Sequence, residues 1–193
     1  MSLKTIFAII SLLFGTAIFI PYYIGLIQKK TKPHLFSWLT WSLLIGLGFV
    51  LSYKGGGGAG SLPFLVDGLL CFTIAVYALV KGEKNITRLD WIAFISALII
   101  MIFYVLTKNA VVSVILTATI DFLGYVPTYR KSYLQPYQEP ALTYFFALVS
   151  WVFSLGALGT YTFVTMFYPL SLIATNGAFI LFLLMRRKVI MAK

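Results

Sequence analysis

Long apolar runs separated by short, basic or proline-containing segments are the dominant pattern along this chain. Runs of about 20 residues are typical of helices that span the hydrocarbon core of a bilayer. Five such spans are predicted at residues 6–28, 35–53, 62–80, 89–107 and 111–130. A further 45 residues, from Ala141 to Met185, carry no charge. One helix of that length would measure about 68 Å, roughly twice the hydrocarbon thickness. We therefore expect a turn between Gly159 and Pro169, which brings the number of transmembrane helices to seven.

The composition agrees with a membrane protein, since 61% of the residues are hydrophobic and 10% are charged. A soluble domain of this size needs far more polar cover. Seven spans use about 140 residues, which excludes a separate soluble catalytic or ligand-binding domain in this sequence. The run at 6–28 is longer than a cleavable signal core and lacks an A-x-A site, so we expect it to be a mature span. The fold class predicted is an all-α integral membrane protein.

The net charge of +10 reflects where the basic residues lie. Twelve of the 15 follow spans one, three and five or lie in the C-terminal tail, whereas Lys4, Lys54 and Lys108 fall on the other side. Cytoplasmic loops of membrane proteins carry such an excess. The alternation predicts a multi-pass protein of the cell (plasma) membrane with its N-terminus outside and its C-terminus cytoplasmic. It also makes nucleic acid an unexpected partner.

Three markers recur in the same order in both halves of the chain, at separations of 106, 110 and 109 residues. They are Pro21 and Pro127, Trp41 and Trp151, and Asp67-Gly68 and Asn176-Gly177. This recurrence predicts two parallel triple-helix repeats, at 1–84 and 109–193, joined by a linker helix at 85–108. In small transporters, a substrate site lies between such repeats. Chance recurrence of proline and tryptophan is the alternative.

With these features the chain resembles the SWEET and PQ-loop superfamily over its whole length. The resemblance rests on Pro21-Tyr22 and Pro127-Thr128, where the family carries Pro-Gln, and on the basic stretch from Lys30 to Trp38 that leads into the second helix. It implies seven helices in a 3+1+3 plan. In SWEET proteins, paired polar residues of the third helix of each repeat contact the substrate, and Asp67 and Asn176 occupy the matching places.

The acidic residues Asp67 and Asp121 are predicted in the interior of spans. A charge at a helix centre costs about 2.5–3.5 kcal/mol on insertion scales, so such residues usually face a cavity or a partner. Because burial favours the protonated carboxyl, a group of this kind can exchange protons as a pathway opens to alternate sides. We expect Asp121, with Asp67 as a second candidate, to couple transport to protons. A carboxyl that only ties helices together is the alternative.

Aromatic residues near these positions are candidate substrate contacts. Trp41 and Trp151 can stack on a flat ligand, or they can serve packing or an interfacial belt. Tyr125 and Tyr129 follow Asp121 at i+4 and i+8, so the three share one helix face. The spacing predicts a polar wall on the fifth span.

The two repeat-related prolines, Pro21 and Pro127, each remove a backbone hydrogen bond. In a transporter such a position provides a hinge, and a static kink is the alternative. The lone histidine, His34, is expected in solvent within a basic loop. The run Gly55–Gly58 is expected to be a connector because it lacks the ending of a phosphate-binding loop. No spacing in the sequence predicts a metal site or a cofactor.

These features predict a membrane transporter that moves a small polar solute by alternating access, driven by protons or by the solute gradient. We expect it not to be an enzyme. Its predicted partners are the lipid bilayer and a small-molecule substrate, and whether it forms a homo-oligomer is left open. A non-transporting seven-helix sensor or assembly partner is the alternative function.

Overall fold

The computed structural model describes residues 2–52 and 62–191, and within these ranges it is all-helical, with no strand. The first four helices are α1 (Leu3–Ala17), α2 (Phe19–Ile27), α3 (Leu35–Ser52) and α4 (Leu62–Lys81). The other four are α5 (Arg88–Leu106), α6 (Ala110–Leu134), α7 (Ala141–Gly156) and α8 (Phe163–Met191). A short 3-10 helix at Pro136–Gln138 precedes α7. The predicted connector Gly55–Gly58 lies outside the described residues.

Five of the helical segments are long and apolar enough to cross a membrane. They are the continuous stretch of α1 and α2, together with α4, α5, α6 and α8. The helices α3 and α7 are apolar but shorter. Large apolar side chains such as Ile92, Ile102 and Leu181 are more than 60% exposed, as expected for a surface that faces lipid. The chain is therefore a multi-pass membrane protein, and the count of seven spans stays a prediction.

Local hydrogen bonds explain where three of the helices begin. Thr87 and Asp90 form a capping box at the start of α5, in which the Thr87 N–H donates to Asp90 Oδ2 at 2.7 Å. At the start of α6 the Asn109 side chain accepts from two backbone N–H groups. At the start of α8 the Thr165 N–H donates to the Thr162 hydroxyl. Each cap satisfies backbone donors that the first helical turn leaves free.

The described residues group into two compact units. Unit 1 comprises those within Met1–Thr31, Thr107–Ala118 and Ser132–Lys193, and unit 2 those within Lys32–Leu106 and Thr119–Lys131. Unit 1 thus holds α1, α2, the start and the last three residues of α6, α7 and α8, whereas unit 2 holds α3, α4, α5 and residues 119–131 of α6. The predicted division of the sequence into two repeats and a linker stays a prediction.

In unit 1, α7 packs along both α1 and α8. Close approach to α1 depends on Gly156, because a Cβ there would lie 2.7 Å from the Phe7 ring. The uncharged stretch turns at residues 157–162, since α7 ends at Gly156 and α8 begins at Phe163. Most of this turn falls within the predicted range from Gly159 to Pro169, and Pro169 itself lies inside α8.

In unit 2, α3 packs against α4 and also contacts α5. Small residues permit the close α3–α4 contact: a Cβ on Gly68 would lie 3.4 Å from the Gly46 nitrogen. The Ser42 hydroxyl donates to the Gly68 carbonyl at 3.0 Å, which adds a polar contact between the same helices. The apolar core comprises Leu44, Ala97, Met101 and Ile120.

The two repeat-related prolines, Pro21 and Pro127, have different effects on the helices in which they lie. The helix is interrupted at Ile18, between the end of α1 and the start of α2. Pro21 explains this position, because its missing N–H and its ring act on the carbonyl four residues earlier, at Ala17. Pro127 lies within α6, which is continuous from Ala110 to Leu134. Their role as hinges stays a prediction.

Within each unit, the helix ends that carry basic residues lie together. In unit 2 the Glu83 N–H donates to the Pro33 carbonyl at 2.9 Å, which joins the end of α4 to the start of α3. In unit 1 the Arg186 Nε donates to the Tyr133 carbonyl at 2.6 Å, which joins the ends of α8 and α6. We call these the basic ends. Neighbouring helices within each unit therefore alternate in direction, as the charge pattern predicts.

Candidate functional site

The Trp41 side chain of α3 packs directly on α6 in unit 2. Its Nε1 donates to the Asp121 backbone carbonyl at 3.4 Å. A Cβ on Gly124 would lie 2.6 Å from the same nitrogen, so the indole occupies the space that this glycine leaves open. The ring also makes edge contacts with Trp38 and Tyr125, at centroid distances of 5.3 and 5.0 Å. The structure thus supports a packing role for Trp41, and its predicted contact with substrate stays a prediction.

The Asp121 carboxyl is buried in the middle of α6. Among the described residues, no ion pair is found for Asp121 or Asp67, whereas the two ion pairs at the start of α5 both involve Asp90. Cys71 lies one turn after Asp67 on α4, and its thiol is buried. The two intramembrane carboxyls thus lie on α4 and α6, in segments that belong to the same unit.

The predicted aromatic wall on α6 is partly visible in unit 2. Tyr125 is buried and Tyr129 is half-buried, and their ring centroids lie 6.2 Å apart. Tyr125 contacts Trp41, whose indole in turn bonds to the backbone of Asp121. Three of the predicted aromatic residues and the backbone of one predicted carboxyl residue thus lie in one contiguous cluster.

The two candidate residues of the second half, Asn176 and Trp151, lie in unit 1. Asn176 is buried on α8, and its Nδ2 donates to the Leu172 carbonyl one turn earlier at 2.8 Å. Trp151 of α7 makes an edge contact with Tyr168 of α8 at 5.7 Å. Their predicted roles in binding stay predictions.

The residue after each repeat-related proline is fully buried and forms a polar contact. Thr128 donates its hydroxyl to Ser37 of α3 at 2.9 Å, within unit 2. Tyr22 donates its hydroxyl to Glu139 Oε1 at 3.4 Å, just before α7 and within unit 1. Each polar contact is therefore made near the start of an apolar helix in the other half of the chain, α3 for Thr128 and α7 for Tyr22.

Asp90 is an important residue that the sequence interpretation missed. Its carboxyl is fully buried at the basic end of unit 2 and accepts from Arg130 Nε and from the Thr87 hydroxyl, at 2.8 and 2.9 Å. The signal that could have found it is the capping-box pattern Thr87-x-x-Asp90. The ion pair with Arg130 has no such signal.

Glu139 is a second residue that was missed, at the basic end of unit 1. It is fully buried, and its Oε2 accepts from the Tyr144 hydroxyl at 2.8 Å. Arg187 of α8 donates to its backbone carbonyl at 2.6 Å. A glutamate between two prolines gave no reason to expect burial.

The expectation that His34 lies in solvent is wrong. Its side chain is fully buried, with Nε2 3.5 Å from Asp90 Oδ2 and with the ring against Phe36. The Pro33 carbonyl accepts from the Glu83 N–H, and this bond fixes the loop before α3. The next residue, His34, therefore faces the first turn of α5.

No group of three or more His, Cys, Asp or Glu side chains is placed to hold a metal ion in the part of the chain that the structure describes. The cavity found beside α3 and α5 is apolar, lined by Leu47, Met101, Ile102, Val105 and Leu106. Comparison of the chain with protein-family models, with curated proteins and with solved structures finds no match.

Proposed function

We propose that this chain is a membrane transporter that moves a small polar solute by alternating access. Its proposed architecture has seven transmembrane helices, as two parallel triple-helix repeats joined by a linker helix, similar to SWEET and PQ-loop proteins. The proposed action is passage of an unmodified solute, without an enzymatic step.

The observation that carries this proposal is the Asp121 carboxyl, buried in a 25-residue apolar helix and with no ion pair found for it among the described residues. A carboxyl in a membrane span is expensive and usually marks a solute or proton pathway. A cationic partner that neutralised this carboxylate would have indicated a role in helix association instead. Asp67 on α4 is a second carboxyl within an apolar helix of the same unit.

Two further features support the repeat plan. The helices α3 and α7 begin at Leu35 and Ala141, which have the same separation as Pro21 and Pro127. In both halves, the residue after the proline is buried and bonds near the start of an apolar helix in the other half of the chain. Repeats with matched proline positions suit a mechanism in which one triad moves against the other.

The basic ends support the proposed orientation, with the C-terminus in the cytoplasm of a cell whose plasma membrane holds the protein. A tag placed after residue 193 should resist protease added to intact cells and become accessible after permeabilisation. Protection of an N-terminal tag under the same conditions would contradict the proposed orientation.

The first test is solute flux. The purified chain would be screened by thermal shift against sugars, amino acids, vitamins and nucleosides, because a ligand that binds the native state raises its stability. Stabilising compounds would then be assayed for uptake into proteoliposomes, with empty liposomes as the control. Binding without flux, for all compounds that bind, would favour the sensor and contradict the transporter.

Proton coupling has its own test. In Asp121→Asn we expect uptake driven by a pH gradient to be lost, while exchange of labelled for unlabelled solute at equal pH persists. Thr117→Val on the same helix is the matched control, because the Thr117 hydroxyl bonds within α6, to the Ser113 carbonyl. Gradient-driven uptake that survives in Asp121→Asn and in Asp67→Asn would exclude both carboxyls as proton carriers.

A further inference from the structure

The end of α6 is attached to α5 by a two-pronged ion pair within unit 2. Arg130 Nε donates to Asp90 Oδ1 at 2.8 Å, and Arg130 Nη2 lies 2.8 Å from Asp90 Oδ2. This bidentate geometry is the strongest form of arginine–carboxylate contact. Arg130 also donates to the Asn85 carbonyl in the loop before α5. One side chain thus holds the end of α6 to both the loop and the first turn of α5.

Contacts other than the ion pair with Arg130 also hold the Asp90 carboxylate in place. The Thr87 N–H and hydroxyl both donate to Asp90 Oδ2, as part of the capping box that starts α5. His34 Nε2 approaches the same oxygen at 3.5 Å from the loop before α3. The carboxylate is therefore fixed by contacts within unit 2 that do not depend on α6.

Two more contacts hold the same part of α6. Thr128 donates to the Ser37 hydroxyl of α3, and Lys131 Nζ donates to the Lys32 carbonyl before α3. Residues 128–131 are thus attached to α3 and α5 at three points. We call residues 128–131 the latched segment.

The latched segment begins directly after Pro127. Because proline has no N–H, the Leu123 carbonyl lacks its usual partner four residues on, and α6 bends more easily there. The Arg130 side chain is 17% exposed, so water can solvate its charge when the ion pair separates. The Arg130–Asp90 ion pair therefore has a well-defined geometry and access to solvent. It lies close to Pro127, where α6 bends more easily.

We propose that Asp90 and Arg130 form a latch that closes the basic end of unit 2, and that transport requires the latched segment to release and swing about Pro127. This inference rests on the proposed function. Asp90 and Arg130 are positioning residues here, because they act on the path and not on the solute. Release separates Arg130 from Asp90, and return of the segment restores the pair.

The first experiment locks the segment covalently. The Ser37 and Thr128 hydroxyls lie 2.9 Å apart, so cysteine side chains at these two positions would lie close together, and loss of free thiols after oxidation would show that the disulfide has formed. The variant Ser37→Cys/Thr128→Cys would be made in a Cys71→Ser background, which removes the native thiol. After oxidation we expect solute flux to fall by about tenfold or more, and to return when the disulfide is reduced. Each single-cysteine variant, treated in the same way, is the matched control.

Equal flux in the oxidised and reduced double-cysteine protein would overturn the latch while leaving the transporter intact. Wild-type protein that binds solute but shows no flux would overturn the proposed function itself. The two failures are therefore distinguishable within the same set of liposomes.

The second experiment measures the latch without flux. Amide hydrogen exchange of the full chain would be measured in nanodiscs. In Arg130→Gln, exchange in residues 128–131 should become about tenfold faster or more, because the strongest contact that opposes local opening of this segment is removed. Arg88→Gln is the matched control, since Arg88 is exposed at the start of α5. Arg130→Lys keeps the charge but cannot form the bidentate contact, so its exchange rate should lie between those of wild type and Arg130→Gln. Unchanged exchange in Arg130→Gln would overturn the latch even where flux is altered.

Discussion

Glu139 and its two tyrosines provide a sharp test of the structure at the basic end of unit 1. Tyr144 donates to Oε2 at 2.8 Å, whereas Tyr22 donates to Oε1 at 3.4 Å. Both tyrosines are buried. Replacement by phenylalanine keeps the ring and removes only the hydroxyl. The substitutions Tyr144→Phe and Tyr22→Phe therefore compare a strong and a weak hydrogen bond to one carboxylate.

The expected size of each effect follows from the geometry. Hydrogen bonds to charged groups contribute about 1.5–3 kcal/mol, and hydrogen bonds within the hydrocarbon contribute about 0.6 kcal/mol on average. The first figure applies here, because Glu139 lies in the loop before α7, outside the apolar helices. Tyr144→Phe should thus lower the free energy of unfolding by about 1.5–3 kcal/mol. At 3.4 Å, Tyr22→Phe should cost below about 1 kcal/mol.

The assay is the temperature at which purified protein loses its monodisperse gel-filtration peak. One kcal/mol corresponds to about 2–4 °C for a chain of this size, so Tyr144→Phe should lower the midpoint by about 3–12 °C. In a Glu139→Gln background the acceptor is neutral, and the same substitution should cost about half as much. An equal loss in Tyr22→Phe and Tyr144→Phe, or a loss that is unchanged by Glu139→Gln, would refute this assignment of the carboxylate contacts.

Two further substitutions test unit 2. Gly124→Ala places a methyl group 2.6 Å from Trp41 Nε1 and should lower the melting midpoint relative to Gly46→Ala, because overpacking costs about 1–3 kcal/mol. Gly46 has no atom within 4 Å of such a Cβ, so equal midpoints for the two variants would contradict the packing of Trp41 on α6. Thr87→Val removes the hydroxyl of the capping box and should cost about 1 kcal/mol. Hydrogen exchange in the first turn of α5 would report that loss, and a rate equal to that of wild type would contradict the capping role of Thr87 beside Asp90.

The sequence predicted the helices well because membrane insertion depends on local composition. Every described helix other than α2 starts or ends within a few residues of a predicted span boundary, and α2 completes the first span. Polar caps and basic residues mark those ends, and both are visible in the sequence. The break at Ile18 was also foreseeable from Pro21, and the turn before α8 falls at the start of the predicted range from Gly159 to Pro169.

The candidate site was predicted in part. The chemistry of Asp121 as a rare intramembrane carboxyl can be recognised without a structure, and so can its spacing to Tyr125. The contact of Trp41 with the backbone at Asp121 depends on Gly124, whose missing Cβ has no meaning until α3 and α6 are packed together. Periodicity gives the face of a helix but not the neighbour that covers it.

By itself the sequence determined a helical membrane protein, the approximate ends of its helices and the asymmetry of its charges, because each depends on transfer of short segments from water to lipid. Only the tertiary structure decided which polar residues are buried at the helix ends. His34 and Glu139 lie in loops that look solvated and Asp90 lies at the edge of a predicted span, yet each is fully buried beside a partner distant in sequence. The physical reason is that a polar group can be buried once hydrogen bonds or an opposite charge replace water, and the fold alone supplies those partners.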